Sequence, residues 1–246
     1  MKATVVDFLN DKMNDFSIND RESQSYILLN PIGDISFAIK DNAKLKLAIV
    51  NNSDNKSSIK GSVGNNSELE VYYADFSNSN NEISTDINLD GENASVNWHL
   101  AALAKGGSKK KFEVSVNHNN IGTLSQIDNY GVCKDKALLN FSGIVHIING
   151  SHRSAAHQNA KIIVFDDSTD AIAKPILKID DNDIEASHAS SVGKISDDEI
   201  FYLTSRGISM EHARELITFG YLKPIIGGFE DEEIASKLSQ DVEGDF

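Results

Sequence analysis

From Asn42 onward, apolar and polar residues alternate in short runs, each opened by a small turn. Asn42-Ala43-Lys44-Leu45-Lys46-Leu47, Asn66-Ser67-Glu68-Leu69-Glu70-Val71 and Asn93-Ala94-Ser95-Val96-Asn97-Trp98 share one design. Alternation at period two marks a strand with one buried face. Comparable runs cover 46–50, 69–73, 83–89, 96–100, 112–116, 144–148, 161–165 and 176–179. Asn, Ser, Asp and Gly fill the gaps, as tight turns require. The three motif starts lie 24 and then 27 residues apart. Self-similarity at such a period marks a solenoid, in which each repeat buries its apolar face by stacking on a neighbour. Strands dominate and helical signals are scarce before residue 195, so a parallel β-helix is predicted over 36–194. A two-layer β-sandwich is the competing reading, since it too has short, regularly spaced strands.

The flanks read differently. Residues 1–35 form a short segment of uncertain structure. In it Val5, Val6, Phe8 and Leu9 start either a helix or a strand, and Tyr26-Ile27-Leu28-Leu29 reads as a strand meeting a turn at Pro31 and Gly33. From Ser196 the period lengthens. Ser196 and Glu199 have capping-box spacing, Ile200, Phe201 and Leu203 give an apolar face, and Gly207 stops the helix. Ser209 caps a second helix with Met210, Ala213, Leu216, Ile217 and Gly220 along one side, which Pro224 is expected to end. A third, weaker helix is predicted over 231–238. These helices make 195–246 a small C-terminal helical domain, expected to cover the last open rung of the solenoid.

Composition narrows the function. The net charge of −14 disfavours nucleic acid and anionic membranes. The acidic end, with Glu230, Asp231, Glu232, Glu233, Asp241, Glu243 and Asp245, reads as a solvated, fraying tail. No signal peptide or membrane-length apolar run is seen, and a single cysteine suits a reducing compartment, so a cytoplasmic protein is expected.

Few residues announce chemistry. Gly106-Gly107-Ser108 before three lysines, and Gly193-Lys194-Ile195, lack the spacing of a phosphate-binding loop and read as turns. His146, His152 and His157 have no metal-ligand spacing and read as solvated turn residues. Cys133 reads as an incidental buried thiol, although Lys134 and Lys136 nearby could lower its pKa. The pairs Asp166-Asp167 and Asp180-Asp181, with Asp183, lie in turns or point to opposite faces. They make no dyad of the kind a carbohydrate-active β-helix enzyme needs. His188 taken alone reads as a hydrogen-bonded histidine where strand passes to helix.

Several stretches together resemble the SufB/SufD family of iron–sulfur cluster assembly scaffolds. They are 118–125, Gly131, Asp135, Phe141 and 143–145, then Gln158-Asn159, Lys174-Pro175, 181–193 and the Phe201-Tyr202-Leu203-Thr204-Ser205-Arg206-Gly207-Ile208 helix. The resemblance implies a right-handed parallel β-helix followed by a small C-terminal α-helical domain. It implies a non-enzymatic subunit that pairs with a SufB-like chain through the β-helix. It further implies that the C-terminal helices receive SufC, an ABC-type ATPase, with Phe201, Tyr202, Arg206 and Met210 in that region. SufB-like chains usually carry a cysteine before the x-Pro strand and a Glu-His-Glu-Ala stretch. Here 170–174 has no cysteine, and Ala186-Ser187-His188-Ala189 is similar to SufD. In SufD this histidine is proposed to complete a cluster site across the dimer, which makes His188 the candidate ligand. SufD-like chains often have Cys at the place of Ala186, so any role of that thiol is lost. The helical N-terminal region of longer members is expected to be reduced. No cofactor is expected on the chain alone, only a transient iron–sulfur cluster at the interface with the SufB-like partner. A reduced binding scaffold, open to homodimer formation and without its own cluster, is the alternative.

Overall fold

The computed structural model describes residues 3–8 and 13–243. Among them the chain forms β1 (Thr4–Asp7), β2 (Asp15–Ile18), β3 (Ser23–Leu29), β4 (Gly33–Ile39) and β5 (Lys44–Val50). There follow β6 (Asn55–Val63), β7 (Glu68–Asp75), β8 (Asn81–Leu89), β9 (Ser95–Ala104) and β10 (Lys109–His118). The last strands are β11 (Leu124–Cys133), β12 (Leu138–Ile147), β13 (Ser154–Val164), β14 (Asp170–Ile179) and β15 (Ile184–Lys194). Helices α1 (Asp197–Thr204), α2 (Met210–Ile226) and α3 (Glu232–Glu243) close the chain.

Odd-numbered strands form one eight-stranded sheet in order along the stack, and even-numbered strands form a seven-stranded sheet. Neighbours are parallel, as in β5 against β7 and β10 against β12. Each coil thus gives one strand to each sheet. The result is a mainly β, parallel solenoid with three C-terminal helices, as the alternating pattern predicts, and not a sandwich. The ladder begins at β1, which takes up Val5 and Val6 as strand residues. Leu9 lies outside the described residues.

Alternation places Leu45, Leu47 and Ile49 of β5 inside, and the stacked positions Leu69, Val71 and Tyr73 of β7 continue their columns. The turn asparagines have a geometric reason. Arg21, Asn42, Asn66, Asn93, Gly122 and Arg153 all have φ between 52° and 68°. Each lies two residues before the aligned strand positions Ser23, Lys44, Glu68, Ser95, Leu124 and Ala155. One left-handed corner thus repeats in six successive coils, and Asn and Gly accept that backbone at least cost. Amides of this column donate to the next coil, as Asn42 to Asn65 O and Asn66 to Glu92 O, both at 2.8 Å. Side chains add a second ladder: Asp41 and Asn65 accept at 2.8 Å from the amides of Asn65 and Glu92. The Asn65 side-chain bond, with the Asn65 amide, holds the Asp41 carboxyl below its usual range.

Several expectations about the C-terminus need correction. The helices do not seal the last rung. They lie on the outer face of the eight-stranded sheet, where Leu222, Ile225, Ile226, Phe229, Leu238 and Val242 pack on Ala48, Val50, Ala74, Ala101, Leu103 and Val132. Pro224 does not end α2, which runs to Ile226 because Ile225 and Ile226 are buried on the sheet. Of the predicted stripe, Ala213 is buried, but Met210 and Leu216 are exposed. The acidic end is not a fraying tail: Asp231 Oδ1 accepts from the amides of Glu233 and Ile234 at the start of α3, and Glu230 pairs with Lys46 at 3.0 Å. Asp245 lies outside the described residues. Ser196 occupies the N-cap of α1 without a side-chain cap bond, whereas Ser209 accepts from the His212 amide. Gly193 and Lys194 end strand β15 and are not a turn, although Gly106 and Gly107 are one. No helix among the described residues is long and apolar enough to cross a membrane.

Candidate functional site

β14 and β15 are the last strands of their sheets, each paired on one side only. Between them the lumen opens to solvent. The inward column that runs through Tyr26, Leu47, Val71, Trp98 and Ile127 continues to Gln158 and ends at His188. Leu47, Val71, Trp98, Ile127 and Gln158 are buried, and His188 is exposed. The histidine therefore occupies a core position that no further coil covers. It stands in mid-strand, not at a passage from strand to helix. Ile179 and Val192, at 43% and 45% exposure, rim the same opening. Pro175, opposite Gly143, is tolerated because β14 is an edge strand.

The other histidines do not gather. His146 Nε2 meets Asp180 at 2.8 Å, His152 Nδ1 meets Asp181 at 3.1 Å, and His157 Nδ1 meets Ser187 Oγ at 2.7 Å. Each links its coil to the following one. His146 and His157 are strand residues, so only His152 matches the expected turn placement. The aspartates are structural acceptors. Asp166 accepts from the Asp135 amide at 2.7 Å, and Asp181 accepts from the Gly150 and Asp183 amides at 2.8 and 3.0 Å. Those backbone bonds, that of Asp183 first, hold the Asp181 carboxyl below its usual range. Cys133 is buried, and its thiol is pushed up to about 12 by burial and then by Asp170, Asp135 and Asp166, opposite to the lowering its lysine neighbours suggested. Among the described residues no three His, Cys, Asp or Glu side chains converge as a metal site. His188 belongs to no such cluster.

On α1 and the start of α2, Phe201, Tyr202 and Met210 are 72%, 54% and 48% exposed. The Arg206 guanidinium lies 4.4 Å over the Tyr202 ring. None of the α1 side chains is buried, so Phe201 and Met210 are surface, not core.

Two buried groups escaped the sequence reading. His118 is fully buried, with Nδ1 at 2.8 Å from Thr123 Oγ1 and Nε2 at 2.8 Å from Ser125 Oγ. Burial lowers it to about 4, against a smaller upward push from the Thr123 backbone. Lys110, from the lysine run after Gly107, points into the solenoid. It pairs there with Asp75, whose other oxygen accepts from Asn81 at 2.7 Å. The hydrophobic position preceding Phe112 in the alternation was the available signal for an inward lysine.

A family model described as "SUF system FeS cluster assembly, SufBD core domain" matches residues 24–221. The chain belongs to the SufB/SufD family. Within the family it is SufD-like: it is 30% identical over 156 residues to the iron–sulfur cluster assembly protein SufD of Bacillus subtilis (strain 168). It is also 23% identical over 154 residues to SufD of Escherichia coli (strain K12). Both matches span 63% of this chain and 36% of the relative. SufB of Bacillus subtilis (strain 168) matches at 29% over 136 residues, 55% of this chain and 29% of SufB. This SufB/SufD chain thus aligns with about a third of these relatives' length.

Proposed function

We propose that the chain is a non-catalytic, cytoplasmic scaffold subunit of SUF iron–sulfur cluster assembly. It pairs with a SufB-like chain through the open end of its solenoid and binds a SufC-like ATPase through α1 and the start of α2. The supporting observation is His188, exposed at the end of a core column on a strand that, like β14, has one edge unpaired. Unpaired edges take up strands of a partner. Imidazole can replace thiolate as an iron ligand. The cluster is cargo built at the shared interface, with His188 as this chain's contribution and the remaining ligands from the partner. The lack of a phosphate-binding motif fits an energy input in trans.

The test is co-expression with SufB-like and SufC-like partners, followed by anaerobic cluster assembly. A stable complex is expected, with assembly lost in His188→Ala. Failure to associate with either partner overturns the subunit reading; full assembly by the His188→Ala complex overturns the ligand reading. Tyr202→Ala or Arg206→Ala should weaken capture of the SufC-like partner by roughly tenfold or more, the effect of losing an interface hot spot. The same open edges also suit a homodimer, because a two-fold pairing brings identical strands together. Light scattering of the isolated chain distinguishes monomer from dimer.

A further inference from the structure

We infer that Asn149 is a spontaneous deamidation site, held closed by Asp181 of the following coil. The sequence has one Asn-Gly pair, Asn149-Gly150, in the turn between β12 and β13. Both residues are exposed, and a Cβ on Gly150 would meet nothing within 4 Å. The Ser151 amide donates to Ile148 O at 3.2 Å, and Gly150 has a φ of 95°, so 148–151 is a type II turn with glycine where that turn requires it. Glycine has no side chain to shield its backbone nitrogen from the preceding carboxamide.

The reaction needs only water. The Gly150 nitrogen gives its proton to solvent and bonds to Asn149 Cγ. The Cγ–Nδ2 bond breaks, and Nδ2 takes up a proton and leaves as ammonia. Water then opens the cyclic imide at either carbonyl. One opening leaves Asp at 149; the other leaves isoaspartate, with the main chain running through the former side chain.

In the folded chain the attacking nitrogen is occupied. The Gly150 N–H donates to Asp181 Oδ2 at 2.8 Å. Asp181 is buried, and its carboxylate also accepts from the Asp183 amide at 3.0 Å and meets His152 Nδ1 at 3.1 Å. A carboxylate fixed on the N–H opposes loss of its proton and holds the nitrogen away from Cγ. The Asp180 and Arg153 amides, on Ile147 O at 2.9 Å and Asp183 O at 2.6 Å, join the same two turns. Asn149 therefore reacts when the last coil lifts and is protected while it is seated. That coil carries β14 and β15, each paired on one side only. Deamidation adds a negative charge beside a turn that already holds Asp180, Asp181 and Asp183, so a coil that has opened reseats less readily.

The test incubates the full chain at neutral pH and follows Asp and isoaspartate at 149 by peptide mass spectrometry. A synthetic peptide of residues 146–153 gives the rate without the fold. The wild type should deamidate roughly tenfold or more slowly than the peptide, the weight of one hydrogen bond to a charged group. Asp181→Ala should remove most of that protection. A wild-type rate equal to that of the peptide overturns the inference, as does an Asp181→Ala rate equal to that of the wild type. Should Asp181→Ala fail to fold, or its middle coils lose protection from hydrogen exchange, Asp181→Asn decides. It keeps an oxygen in place without the charge, so a rate above the wild type supports the inference and an equal rate overturns it.

Discussion

Burial of His118 between two hydroxyls makes stability depend on pH in a defined window. The folded protein keeps the ring neutral down to about 4, whereas the unfolded chain takes up a proton near 6.5. The contribution is therefore complete above 6.5 and lost as pH falls toward 4, on the order of 3 kcal/mol in all. Urea unfolding at pH 7.5 and 5 should show a steeper loss for the wild type than for His118→Gln. The Lys110–Asp75 pair gives a second residue-scale expectation. Lys110→Met strands a buried carboxylate and should cost about 3–5 kcal/mol, with much of it recovered when Asp75→Leu is added. Urea midpoints of the singles and the double variant measure this. At the corner column, Asn66→Ala should cost about 1 kcal/mol, since alanine resists a left-handed backbone. The asparagine starts at 42, 66 and 93 were legible in the sequence because they mark that corner. Lys110 was not, because a lysine next to Gly-Gly-Ser-Lys looks like solvent-facing turn residues and its partner lies 35 positions away.

At the scale of elements, strands were readable wherever apolar residues alternate cleanly, as in β5, β7 and β9. β11 was missed because Asp128, Asn129 and Gly131 interrupt the apolar run; the neighbouring coils, not its own propensity, make it a strand. α2 shows the same override in a helix: Pro224 is carried inside because the sheet buries Ile225 and Ile226. The placement of the helices was not legible, since it depends on Ala48, Ala74 and Ala101 forming a smooth outer surface, and each looks like an ordinary strand residue. Gly228 makes that docking testable. A Cβ there would lie 1.9 Å from the Tyr72 ring. Gly228→Ala should loosen the α2–α3 turn from the sheet by about 1–3 kcal/mol. Limited proteolysis should then cut after residue 226 sooner than in the wild type, with the solenoid left intact.

For the molecule as a whole, successive coils are not equal. Bonds between adjacent coils join residues 22 apart near Asn30, 24 near Ala43, 27 near Asn65 and 31 near Thr123. The strands lengthen in step, from four residues in β1 to eleven in β15. This drift hides a strict period, so the repeat could be recognised over three coils but not counted through the chain. His188 was legible as a residue, through its Ser-His neighbourhood, while its place as the last member of a core column needed the stacking. A tapered spiral with an uncovered wide end has an uneven distribution of protection. Amides of the terminal strand should exchange with deuterium quickly in the free chain, while those of the middle coils persist. When a companion chain settles on that rim, the slowing of exchange should be confined to β14 and β15. The surface where the cargo would be built is thus also the least guarded part of the unaccompanied protein.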